Sequence, residues 1–174
     1  TLKSWLPVFL TVMIVAEALV LLLRFKQRHG RESRVNLITG GVTIVVQAVF
    51  KTFLLNNIYP AVYENRLFDI GIHWYTWVLG FLLYTFIQFI THVGYHKIRL
   101  FWCLHEVHHS AVHMNITTGL RNSVFDVTSL DQFYLFMPFL GIHLIVYFIF
   151  YTLNKFWGTF IHISENIVSR IPLL

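Results

Sequence analysis

One cysteine, four prolines and a charged fraction of only 12% set the limits of this 174-residue chain. A single thiol, Cys103, excludes an internal disulfide and a cysteine-ligated iron–sulfur cluster. Soluble domains ordinarily carry about twice as much charge. With 56% hydrophobic and 17% aromatic residues, the chain has more apolar surface than water tolerates, and lipid is the expected solvent. There is no repeat, low-complexity tract or flexible linker, and no room for a second globular module. A Gly-rich dinucleotide loop and a haem-attachment motif are also missing. The net charge is +5, but the bases sit in short segments beside apolar runs rather than in one stripe. That placement fits membrane topology and not nucleic-acid binding.

The apolar runs come in order. Trp5 to Leu23 is long enough for one membrane helix and is interrupted by Glu17, a carboxylate expected to face other helices or a polar partner. Arg24 to Arg34 carries five bases against one Glu, which assigns this loop to the cytoplasm. Val35 to Leu55 forms a second span, with Lys51 near its far end able to snorkel to the interface. Asn56 to His73 connects on the opposite side, and Trp74 to Thr91 returns as a third span. Phe133 to Ile163 is apolar again and fits either one span followed by a short helix on the far side or a shallow hairpin that enters and returns. The first run, with no small-residue cleavage site after it, reads as a mature span rather than a signal peptide. The expected fold is an all-α polytopic membrane bundle of about four segments, one domain over residues 1–174. Residues 92–132 form a cytoplasmic, histidine-rich helical cap.

Six of the ten histidines fall between residues 92 and 113. His92 and His96 form HxxxH, and His105, His108 and His109 form HxxHH. Spacings of three and four put each set on one helix face, so the rings of a set can converge. Imidazole binds iron, zinc or copper as the neutral ring. A dense structural cluster is a poor alternative, because every buried ring nitrogen needs a partner. His29 is expected in solvent, His73 at the far interface, and His143 in a hydrogen-bonded structural role. Glu106, inside HEVHH, is expected to point away from a metal or to bond a ligand ring.

HVGYH, the basic link KIRL, FWCLHEVHHS and MNITTGLR together resemble the fatty acid hydroxylase superfamily, also called the sterol desaturase family. Within it the segment Leu100 to Arg121 is most similar to bacterial members and the alkylglycerol monooxygenases. The resemblance implies two iron ions that activate O2 to hydroxylate or desaturate a sterol, fatty acyl, sphingoid or ether lipid. It implies metal ligands at His92, His96, His105, His108 and His109, with His162 of FIHISE as an isolated ligand and His113 as a ligand or near-ligand. His162 reaches the others only if the last apolar segment turns back. Asn115 and Arg121 match an MN…R element and are expected to support the ligands. A further HxxHH is expected after Leu174. Val93 stands where the family often has Arg, and Tyr84, Thr85 and Gln88 stand where it often has Asp. Electrons are expected from a separate reductase or a small donor such as a pterin. The rival reading is a histidine-rich transporter or metal-handling membrane protein with Glu17 and Lys51 on an ion path. A zinc hydrolase is disfavoured because HExxH spacing fails at His105 and Glu106.

Overall fold

The computed structural model describes residues 2–25, 30–125 and 131–169, and among these every regular element is helical. Helix α1 spans Leu2–Phe25 and α2 spans Gly30–Phe53. The chain then passes through a widened π turn, Leu54–Ile58, into α3, Tyr59–Glu64. Pro60 explains the widening, since it has no N–H to donate backwards and its ring crowds the carbonyl four residues earlier. Gly30–Glu64 thus forms one rod of 35 residues. The second expected span therefore starts five residues before its apolar stretch, Val35 to Leu55, and ends nine residues after it.

Helix α4 is Trp74–Lys97, so His92 and His96 lie on its last turns. Ile98 alone is extended (φ −100°, ψ 115°) and turns the chain into α5, Arg99–His109, which packs back on α4. A 3₁₀ turn, Ile116–Leu120, follows. A second, Asp131–Leu135, leads into α6, Phe136–Phe139. Gly141 makes the next bend at φ +96°, and a Cβ there would run into the Phe68 carbonyl oxygen, so only glycine fits. Helix α7, Leu144–Phe160, then climbs beside α4 in the same direction, and α8, Glu165–Val168, closes the described chain.

Among the described residues, two helices are long and apolar enough to cross a membrane, Gly30–Glu64 and Trp74–Lys97. Their outer faces are exposed and apolar, with Val45 at 66%, Val49 at 72% and Phe89 at 63% exposure, a surface that lipid covers without cost. The core lies towards the end opposite the histidine motifs. Tyr59, Tyr84, Tyr134 and Tyr147 pack with Met137, Ile142 and Val146, and the Tyr134 hydroxyl donates to Gln88 Oε1 (2.5 Å). Midway along the 35-residue rod, Lys51 donates to the Tyr151 hydroxyl (2.5 Å) and lies over that ring.

Candidate metal centre

Six rings from three segments meet at the end of α4. His92 and His96 face each other with Nε2 atoms 3.2 Å apart. The ring of His105, on α5, stands 5.2 Å from each of theirs. The nearest ligand atoms of these three residues all lie within 4.8 Å of one another. His109 joins at 4.8 Å from His96 and 4.9 Å from His105, ring centre to ring centre. His108 stands 5.4 Å from His105 and 5.2 Å from His109. His162, just past α7, reaches His108 with Nε2 atoms 3.0 Å apart. The climb of α7 beside α4 is what delivers it. Two aromatic rings flank the group: Tyr95 stacks on His105 (4.9 Å), and Trp102 stacks on His109 (5.6 Å).

The pair His108–His162 tests whether an ion fits. The Nδ1 of His108 meets the Arg121 carbonyl at 3.0 Å, and that of His162 meets the Gly158 carbonyl. A carbonyl only accepts, so each Nδ1 holds the ring proton and each lone pair sits on Nε2. The two lone pairs therefore face each other across 3.0 Å, an arrangement that calls for a cation between them. A proton is a poor candidate, because burial pushes His108 down to about 4. Burial also lowers His109. Two imidazole nitrogens each about 2.1 Å from one transition-metal ion stand about 3 Å apart when their bonds meet near a right angle. The donor set, imidazole throughout, suits iron, copper or zinc.

Polar groups behind the rings hold them. Arg121 uses its backbone for His108 and its guanidinium for the end of α5. Nε donates to the Val107 carbonyl (2.9 Å), Nη2 to Ser110 Oγ (2.6 Å) and Nη1 to Asn36 Oδ1 (3.2 Å). A cation at a helix C-terminus satisfies orphan carbonyls and opposes the helix dipole. Asn36, fully buried on α2, donates to Thr117 Oγ1 (3.0 Å). Asn115 caps the 3₁₀ turn through Oδ1, which accepts from Thr117 N (2.9 Å). Glu32 accepts from the backbone N–H of Val112 (2.6 Å) and of His113 (3.1 Å). Glu17, only 6% exposed, accepts from Ile116 N and Ser164 N, both at 2.7 Å.

The remaining residues singled out from the sequence fall elsewhere. His113 is exposed in the loop beyond α5, and Glu106 is exposed on the outer face of α5. His143 caps α7 by accepting from Ile145 N (3.2 Å), and His73 stacks on Tyr75 at the start of α4. His29 lies outside the described residues. Sequence reasoning passed over Asn36, although an amide inside an apolar run was a signal. It also passed over Gly119, where a Cβ would stand 2.9 Å from Thr159 Cα and 3.3 Å from His162 Nδ1. A cavity of about 500 Å³ opens from His92, His105, His108 and His162 and extends to Lys51 and Tyr151.

The family model for fatty acid hydroxylase matches residues 77–173, more than half of the chain. The chain belongs to the fatty acid hydroxylase family. The match takes in all six clustered histidines and leaves α1 and α2 outside it. The alkylglycerol monooxygenase of Homo sapiens is 28% identical over 144 residues, covering 78% of this chain and 32% of that protein. The alkylglycerol monooxygenase of Caenorhabditis elegans is 27% identical over 131 residues, covering 70% of this chain and 24% of that protein. The chain thus spans about a third or less of the length of these curated relatives. No solved structure matches it.

Proposed function

We propose that this chain carries the metal centre of a membrane oxygenase that hydroxylates or desaturates a lipid with two iron ions and O2. The observation that carries the reading is the facing Nε2 pair of His108 and His162, 3.0 Å apart with both Nδ1 protons already committed to carbonyls. In this reading His92, His96, His105, His108, His109 and His162 are ligands. His113 stands by in the adjoining loop, and Asn115 and Arg121 support the ligands. Iron, when bound, supplies the redox chemistry with O2 that breaks a strong C–H bond.

The protein's own work is to bind and orient. The Arg121 and Gly158 carbonyls keep two rings in the tautomer that presents Nε2 inward. The 500 Å³ cavity gives a lipid a path from the bilayer, its reactive carbon towards the histidines. Relatives named as alkylglycerol monooxygenases make glycerol ether lipids the first substrates to try. Residues 1–174 act as one membrane domain, with 92–132 as its cytoplasmic metal-binding face. Electrons come from a separate protein or a small reductant.

The test is iron content of the purified chain, together with O2-dependent oxidation of 1-O-alkylglycerols, fatty acids and sterols in the presence of a reduced pterin or a reductase. Retention of iron and one oxidised lipid supports the reading. A preparation that takes up no transition metal under reducing, anaerobic loading sinks it.

A further inference from the structure

Glu17 lies on α1, outside the residues matched by the family model, yet it reaches the histidine end of the molecule. Its two oxygens accept backbone N–H groups 99 and 147 residues away in the chain. Ile116 N belongs to the first residue of the 3₁₀ turn, where helical N–H groups have no partner of their own. Ser164 N lies two residues after His162. The two segments so joined touch each other. Gly119 packs on Thr159 and His162 so closely that a Cβ would not fit, and Arg121, one residue past the turn, gives its carbonyl to His108. One buried carboxylate therefore ties the segment carrying His162 to the segment that orients His108.

We infer that Glu17 is a positioning residue for the metal centre, holding the His162 turn against the Ile116–Leu120 turn so that His162 stays opposite His108. The inference rests on the metal reading above. A carboxylate suits the task because both N–H groups need an acceptor and each of its oxygens supplies one. Gln at this position offers one acceptor and turns an NH2 towards the other N–H. Asp keeps two acceptors but sets them one methylene short. A packing role alone predicts loss of stability everywhere. The clamp predicts a local opening and a ligand out of place.

The experiment uses the full chain in detergent, as wild type, Glu17→Gln, Glu17→Asp, His162→Ala and the double variant Glu17→Gln/His162→Ala. Hydrogen exchange is followed in the metal-free protein, and Co²⁺ is titrated anaerobically with its visible absorption as the signal. The expected result for Glu17→Gln is faster exchange confined to residues 114–120 and 158–168. Co²⁺ affinity should fall about 10-fold to 100-fold, the range seen when a group orienting a ligand is removed. The double variant should bind no more weakly than His162→Ala. Exchange that rises evenly over the whole chain, wild-type Co²⁺ affinity, or losses that multiply in the double variant would each overturn the inference. Should Glu17→Gln fail to purify, Glu17→Asp is judged by the same three outcomes. A wild type that takes up no Co²⁺ defeats the metal reading alone, and the exchange pattern still decides whether Glu17 clamps the two turns.

Discussion

The two ends of this molecule are assembled by different forces. At one end four tyrosines pack with Met137, Ile142 and Val146, and Met137 and Val146 are fully buried. At the other, six imidazoles face one another, with His92, His96 and His109 exposed. The tyrosine end is held by contact. In lipid the hydrophobic effect contributes little between helices, and shape and dispersion do the holding. The histidine end is held by directed bonds from Glu17, Glu32, Asn36 and Arg121 to backbone groups and side chains of the segments around the rings. Damage should therefore show as lost stability at the first end and as a lost local contact at the second.

The largest test of that contrast is His108→Ala. It removes one member of the 3.0 Å pair, and metal affinity should fall on the order of 100-fold or more while the thermal midpoint of the metal-free protein holds. Equal loss of fold and metal would erase the distinction. Met137→Ala is the mirror experiment. It should cost about 2 kcal/mol, the low end for a large-to-small core change, because lipid solvates apolar groups in the reference state. Denaturant or thermal unfolding reads the cost, and the affinity of the remaining folded protein for Co²⁺ should not move.

Next in size is Gly119→Ala, which forces a Cβ to within 2.9 Å of Thr159 Cα and 3.3 Å of His162 Nδ1. Metal affinity should drop about 10-fold through displaced support of a ligand, with stability changed by about 1 kcal/mol. Retained affinity in that variant would show that the two turns can separate without cost to the site.

Acid offers a gentler probe. The folded protein holds His108 near 4, below the ordinary value near 6.5, so the unfolded chain binds the extra proton first. Stability present above pH 6.5 is lost as pH falls towards 4 in the metal-free protein, and the partly lowered His109 acts in the same direction. His108→Gln should flatten the midpoint-against-pH curve across that window. An unchanged slope would mean that other groups dominate the acid response. The smallest effect is expected for Glu106→Gln, on the exposed outer face of α5, where metal affinity and midpoint should both stay within twofold and about 0.5 kcal/mol of wild type.

Much was legible before any coordinates. Apolar runs of helical length announced α2 and α4, because a spanning backbone must bond within its own segment. The spacings within HVGYH and HEVHH put histidines on helix faces, because 3.6 residues make a turn. Less legible were element ends: α2 starts ahead of its apolar run, and Pro60 is absorbed by a π turn instead of ending the rod. The partner of Lys51 was not legible, because composition does not reveal which way a side chain faces, and Tyr151 is 100 residues away.

What the sequence alone determined was the inventory: helices for lipid, rings at helical spacings, and a carboxylate interrupting the first apolar run. Local periodicity encodes these directly. What only the tertiary structure decided was which groups meet. His162 joins His108 across 54 residues because Gly141 bends the chain and α7 climbs beside α4. Glu17 grips two turns across 99 and 147 residues for a related reason. Contacts of that span depend on the sum of many bends and packings, and no short window of residues carries that sum.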